Sequence, residues 1–304
     1  MCFCTGCDYK KRKISYFPNP NSISHVKENL IPKTLTDACC VLFTIIFIPL
    51  TFAFEMCVVL PAFHEAGSIM FILTWLLGTF LLFNIVGNMM FCIFEDTSIK
   101  MIMLKPPDEL ELRRYWRLCT KCEVLTPPRS WHCDTCDTCI LKRDHHCVFT
   151  GCCVGHKNQR YFLMFILHII LGTSYAFCYN SAYFWWLHNE TYLNLGTAVK
   201  MICPIMTFLA EFSLSNIYLA IYEINVIALI YTGVLLCFHG SNILKGAVSY
   251  ERNTTKYDMG WRRNLTMVMG CHWHLVWLSP FLDSKLPHDG IYWETFLQTS
   301  TKNR

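Results

Sequence analysis

The stretch AGSIMFILTWLLGTFLLFNIVGNMMFCIF, Ala66 to Phe94, runs for 29 residues without a charged side chain. An α-helix rises about 1.5 Å per residue, and the hydrocarbon core of a bilayer is about 30 Å thick. A helix over this stretch is long enough to cross a membrane. Three further stretches share its character. Ala38 to Phe54 is uncharged, and the apolar run resumes after Glu55 to Phe63. Tyr161 to Leu187 contains no Asp, Glu, Lys or Arg and only His168 among the histidines, and Phe212 to Phe238 is interrupted by Glu223 alone. A shorter stretch, Met201 to Ala210, lies between Lys200 and Glu211 and is too short to span. It reads as an interfacial or partly re-entrant lead-in to the fourth span. Ionisable residues are costly in lipid, so Glu55 and Glu223 read as helix-end residues near headgroups.

Composition agrees. Of the 304 residues, 53% are hydrophobic and 16% charged, against about a quarter charged in soluble domains. That excludes an ordinary soluble domain and a disordered chain. A net charge of +4 is too small to argue for nucleic acid as a partner. With four spans, 25 of the 26 Lys and Arg fall on one side of the membrane, Lys200 being the exception. The positive-inside bias then puts both termini and the middle segment in the cytosol. The expected layout is an α-helical polytopic membrane protein with eight segments. They are a cytosolic tail (1–37), a first helix (38–63), a second (66–94), a cytosolic loop (95–160), a third helix (161–187), a lumenal loop (188–211), a fourth helix (212–238) and a cytosolic C-terminal region (239–304).

The cytosolic loop holds eight of the nineteen cysteines. Cys119 and Cys122 form a C-x2-C pair. Nine residues later come His132, Cys133, Cys136 and Cys139, then Asp144-His145-His146-Cys147, then Cys152 and Cys153. Structural disulfides are rare in the reducing cytosol, and repeated C-x2-C pairs with interspersed His are the spacing of tetrahedral zinc sites. Two zinc ions need eight ligands, and the cluster from Cys119 to Cys153 offers eleven Cys and His. The surplus leaves a Cys and a His side by side, as a thiol nucleophile and its base require. Asp144 beside His145 is suited to orient the ring. Spacing alone leaves open which Cys is surplus, and a zinc-containing membrane adaptor without catalysis is the competing reading.

The run from Cys119 to Phe162 resembles the cysteine-rich domain of the DHHC protein S-acyltransferases (palmitoyltransferases). It meets C-x2-C-x9-H-C-x2-C-x2-C-x4-D-H-H-C-x5-C-x4-N-x3-F at every position, closing on Cys153, Asn158 and Phe162. The resemblance implies a small zinc-stabilised domain between the second and third of four transmembrane helices. One structural zinc would be held by Cys119, Cys122, His132 and Cys139, and the other by Cys133, Cys136, His146 and Cys153. Cys147 would be the nucleophile, His145 its general base and Asp144 the group that orients His145. Cys152 matches no family ligand. The donor would be palmitoyl-CoA, and the acceptors would be proteins with membrane-proximal cysteines. Arg129, Lys142 and Arg143 would be candidates for the CoA phosphates, and the compartment would be Golgi or endoplasmic reticulum. The chain also departs from the family. Val148-Phe149 stands where Pro-Trp is usual, and Glu95-Asp96-Thr97-Ser98 where Asp-Pro-Gly is common. The Thr-Thr-x-Glu motif after the fourth span is degenerate at Val248-Ser249-Tyr250-Glu251. Outside the core, Cys2, Cys4 and Cys7 flank the basic run Lys10 to Lys13 and are candidates for S-acylation themselves.

Overall fold

The computed structural model describes residues 31–100, 102 and 104–293. Cys2, Cys4 and Cys7 lie outside these residues. Among the described residues four helices are long and apolar enough to cross a membrane: α1 (Leu35–Phe63), α2 (Ile69–Phe94), α3 (Gln159–Leu187) and α4 (Leu214–Leu244). A shorter helix, α5 (Trp261–Met269), follows. The chain divides into two compact units. One takes the described residues through Leu42, Gly87–Met164 and Phe238 onward; the other takes Phe43–Val86 and Phe165–Cys237.

The second unit is built on aromatic packing. Phe54, Tyr183, Phe184, Tyr192 and Tyr222 form its buried cluster with Val59, Leu219 and Ile221. Phe184 is fully buried and stacks on Tyr222 with ring centroids 4.9 Å apart, while Trp186 remains exposed. Offset and tilted ring pairs of this kind add to simple area burial. Glu55 does not end a helix. It opens a π-turn, Glu55–Val59, inside the continuous α1 span and accepts a hydrogen bond from Asn180 Nδ2 at 2.6 Å. Glu223 is buried within α4 and accepts from Thr207 Oγ1 at 2.8 Å. A buried carboxylate in a span requires such a partner. Met201 to Ala210 does not span: it lies across two short helices, Leu195–Ile202 and Ile205–Leu209.

The first unit carries three two-stranded antiparallel hairpins. β1 (Arg117–Cys119) pairs with β2 (Val124–Thr126), β3 (Trp131–Cys133) with β4 (Thr138–Ile140), and β5 (His145–Cys147) with β6 (Cys152–Val154). Strands of three residues bury too little apolar surface to hold themselves together, and isolated hairpins are marginal in water. Cross-linking by another agent is expected on that ground. The fourth helix runs to Leu244, six residues past the apolar stretch, and the chain turns away from it at Gly246, whose φ is +67°. Asn264 fastens that end: its Nδ2 donates to the Leu244 carbonyl at 2.8 Å and to Asp258 Oδ1 at 2.7 Å.

Candidate active and metal sites

Successive side chains on a strand point to opposite faces, and this period sorts the cysteine-rich segment. In β3, His132 and Cys133 are neighbours in sequence but serve different clusters. Sulfur and nitrogen atoms of Cys119, Cys122, His132 and Cys139 all lie within 4.8 Å of one another, and those of Cys133, Cys136, His146 and Cys153 form a second such group. His132 Nδ1 is 3.8, 3.3 and 3.9 Å from the sulfurs of Cys119, Cys122 and Cys139. His146 Nδ1 is 3.8, 3.3 and 3.7 Å from those of Cys133, Cys136 and Cys153. A tetrahedral zinc, with Zn–S of about 2.3 Å and Zn–N of about 2.0 Å, places its donors roughly 3.5–3.8 Å apart. Both clusters fit that ion, and each can hold one. Glu123 and Asp137 follow the second cysteine of the two C-x2-C turns and take left-handed backbones, φ +55° and +46°. Such strain persists where surrounding contacts over-determine it.

The two rings differ at their free nitrogen. His146 Nε2 is 3.3 Å from buried Asp37 Oδ1, and a carboxylate in this position fixes the tautomer and orientation of a metal-binding His. His132 Nε2 makes no hydrogen bond among the described residues; the exposed carboxylates of Asp137 and Asp134 stay 3.7 and 3.8 Å away. Asp37 also caps α1 reciprocally. The Thr34 backbone N–H donates to Asp37 Oδ2 at 3.1 Å, and the Asp37 N–H donates to Thr34 Oγ1 at 3.0 Å. Sequence reasoning missed Asp37. The T-x-x-D spacing of a capping box was its visible signal.

The same period works in β5. His146 points to its cluster opposite Cys153, while His145 and Cys147 share the other face. His145 Nδ1 and Asp144 Oδ2 are 2.8 Å apart, which leaves Nε2 to meet the thiol of Cys147. Cys147 is buried and lies directly across the hairpin from Cys152. Cys152 Sγ turns to Thr150 Oγ1 at 3.4 Å. Phe162 packs edge-on against the His145 ring at 4.8 Å. Asn158 locks the strand behind it: its Nδ2 donates to the carbonyls of Cys92 and Cys153, and its Oδ1 accepts from Gly155 N–H. Gly155 has no alternative, since a Cβ there would lie 2.6 Å from the Leu141 carbonyl oxygen.

Asp144 is fully enclosed. Its Oδ2 also meets His239 Nδ1 at 3.0 Å, and its Oδ1 accepts from the Ser249 backbone N–H at 2.8 Å and Ser249 Oγ at 3.0 Å. Burial pushes this carboxyl up, but the bonds from His145 and His239 outweigh it and hold it well below the usual carboxylate range. For His145, burial works downward. The Asp144 bond and then Cys147 outweigh it, so the ring holds its proton more tightly than a free imidazole. His239 was not visible in the sequence, because the fourth apolar run stops at Phe238 and nothing in Gly240-Ser241-Asn242 signals a continuing helix.

The basic residues are placed otherwise than expected. Arg129 and Lys142 are both 3% exposed. Arg129 donates through Nε and Nη2 to Glu251 and through Nη2 to the Gly246 carbonyl, and its guanidinium lies between the rings of Tyr257 and Trp293. Lys142 is pushed down to about 7 by burial and then by Arg129. Neither faces solvent, so neither is positioned to meet CoA phosphates. They belong to the internal frame. Arg143 is half-buried and donates to Tyr250 Oη at 2.7 Å.

Comparison with known proteins bears on the same residues. Residues 113–256 match the family model described as DHHC palmitoyltransferase. The probable palmitoyltransferase ZDHHC24 of Mus musculus is 35% identical over 236 residues, covering 72% of this chain and 77% of that protein. The chain belongs to the DHHC palmitoyltransferase family. The Homo sapiens protein of the same name is 36% identical over 235 residues with the same coverage. Palmitoyltransferase ZDHHC9 of Bos taurus is 46% identical over 67 residues, which cover 22% of this chain and 18% of that protein. The layout is that of a multi-pass membrane protein with a metal-capable cysteine-rich domain between its second and third spans, and protein palmitoyltransferase activity follows from the family.

Proposed function

We propose that the chain transfers a palmitoyl group from palmitoyl-CoA to cysteine thiols of membrane-proximal proteins, through an S-acyl intermediate on Cys147. The observation that carries this reading is the line Asp144–His145–Cys147, with Nδ1 of the ring engaged by the carboxylate and the thiol on the same strand face. His145 Nε2 takes the thiol proton. The Cys147 sulfur attacks the thioester carbonyl, a new S–C bond forms, and the S–C bond to CoA breaks. The proton on His145 passes to the departing CoA thiolate. A substrate thiol then repeats the sequence on the Cys147 thioester and restores the free enzyme. Two half-reactions through one covalent intermediate give ping-pong kinetics. Asp144 holds the ring in the tautomer that presents Nε2 and stabilises the imidazolium. Two zinc ions, held by Cys119, Cys122, His132 and Cys139 and by Cys133, Cys136, His146 and Cys153, supply folding energy to hairpins that lack a core of their own. The positive-inside bias of the basic segments supports a cytosolic position for the termini and this domain, and the family resemblance supports an endomembrane, Golgi or endoplasmic reticulum, as the compartment.

The test is self-acylation. Purified protein is incubated with labelled palmitoyl-CoA, and label released by neutral hydroxylamine is measured beside Cys147→Ser, with zinc content determined in both. Label lost in the variant while zinc is retained is the expected result. An unlabelled, zinc-loaded wild type would favour the adaptor reading, and label retained in Cys147→Ser would move the nucleophile elsewhere.

A further inference from the structure

Between Arg263 and Asp283 the chain carries no Lys, Arg, Asp or Glu, and residues 271–282 read CHWHLVWLSPFL. The structure folds this segment into a loop with a closed neck. The Cys271 N–H donates to the Lys285 carbonyl at 3.0 Å, and the His272 N–H to Ser284 Oγ at 2.9 Å. Ser284 Oγ in turn donates to the Met269 carbonyl at 2.7 Å. Gly270 permits this closure, because at φ +83° a Cβ would lie 2.3 Å from the Ser284 carbonyl oxygen. Arg160, the second residue of α3, ties the neck to the start of that span by donating to the same carbonyl at 2.8 Å. Compact loops with joined ends hold a fixed shape.

The far side of the loop lies along α2. Pro280 sits against Gly87, where an added Cβ would come within 2.5 Å of Pro280 Cγ, and Phe281 meets Phe91 edge-on at 5.1 Å. Gly87 is seven residues inside the end of α2 at Phe94. Centred upright on a hydrocarbon core of about 30 Å, a helix about 39 Å long would overhang it by roughly 4.5 Å at each end. Gly87, about 10 Å along the helix from Phe94, would then lie roughly 6 Å inside the hydrocarbon, within the depth of about 5–10 Å reached by interfacial segments. Apolar side chains of the loop are exposed: Leu275 37%, Trp277 48%, Leu278 40% and Phe281 67%. Three polar groups of the tip are satisfied within the loop. The Leu275 N–H donates to the His272 carbonyl, the Leu278 N–H to that of Leu275, and Trp277 Nε1 to the His274 carbonyl at 2.9 Å. A segment that enters lipid must close its own hydrogen bonds.

We propose that residues 271–282 form a re-entrant loop inserted among the lipid acyl chains of the leaflet on the side of the cysteine-rich domain. The C-terminal region is then a fifth membrane contact, continuous with the α2 surface, rather than a wholly aqueous domain. The inference is independent of the reaction proposed above. To test it, an environment-sensitive fluorescent amino acid replaces Leu278 in one full-length protein and Phe281 in another, each in phosphatidylcholine nanodiscs. Leu118, exposed on β1, is the aqueous control. Lipid spin-labelled at acyl carbon 5 should quench the two loop sites at least twofold and the control little, with aqueous iodide giving the reverse. Iodide quenching of both loop sites to the level of Leu118 would overturn the proposal. Protection from both quenchers would also overturn it, since a protein surface would then cover the loop. Two sites keep the test decisive if one substitution disturbs the neck.

Discussion

The buried pair Arg129–Glu251 gives a quantitative test of how the C-terminal region supports the candidate site. The side chains are 2% and 11% exposed and meet at 2.6 Å. Glu251→Met leaves the guanidinium enclosed beside Lys142, whose ammonium already repels it. Removing one partner of a buried pair costs about 3–5 kcal/mol, because the remaining charge is desolvated without compensation, while replacing both with apolar residues of similar volume is near neutral. For a unit of this size each kcal/mol lowers the melting temperature by about 2–4 °C, so the single variant should melt roughly 6–20 °C lower. Arg129→Met should fall by a similar amount. Arg129→Met with Glu251→Met should recover most of the loss, giving a coupling of several kcal/mol in the cycle. Intrinsic tryptophan fluorescence during thermal unfolding in detergent measures all three. Glu251 lies two residues from Ser249, which holds Asp144 Oδ1 through two hydrogen bonds, so acyl transfer should fall with stability in the single variants. Single variants that each melt within about 3 °C of wild type, or a double variant whose losses simply add, would refute the reasoning.

Other perturbations have signs fixed by the geometry. Lys142 has its pKa pushed down to about 7 by burial, so between pH 7 and the ordinary lysine range the unfolded chain binds a proton that the folded one does not. Stability from this group therefore falls as pH falls, and Lys142→Met should melt higher than wild type at pH 7, with the gap narrowing as pH rises towards 10. Asp144→Asn removes the group that raises His145. The proposed general base would work as the neutral ring, so the acid limb of the pH–rate profile should move to lower pH while the plateau falls by roughly 10²–10⁴. Asp37→Asn takes the carboxylate from His146 Nε2 and should weaken the second metal cluster by about 10–100-fold in a chelator competition. Asp134→Asn, at an exposed carboxylate 3.8 Å from His132 Nε2, should change little.

Much was legible in the sequence because the physics is local. A run of apolar residues longer than the hydrocarbon core has one economical fate, and Ala66 to Phe94 met it as α2. Zinc ligation by C-x2-C pairs is likewise local, so the cysteine-rich segment could be read from spacing, and its motif carried the family. The partition of ligands follows from strand period: His132 and Cys133 diverge because neighbours on a strand face opposite ways. Other features depend on residues far apart in the chain, and no window of sequence contains them. His239 reaches Asp144 only because α4 continues past its apolar run to Leu244. Asp37 serves His146 across 109 residues. Arg129 looked like a surface cation, yet the fold encloses it between Glu251, Tyr257 and Trp293. Sequence fixes what each side chain is able to do, since length, apolarity and ligand chemistry are properties of residues and their spacing. Only the tertiary structure decides which charges lose water and which partners meet them, because desolvation depends on everything that surrounds a group.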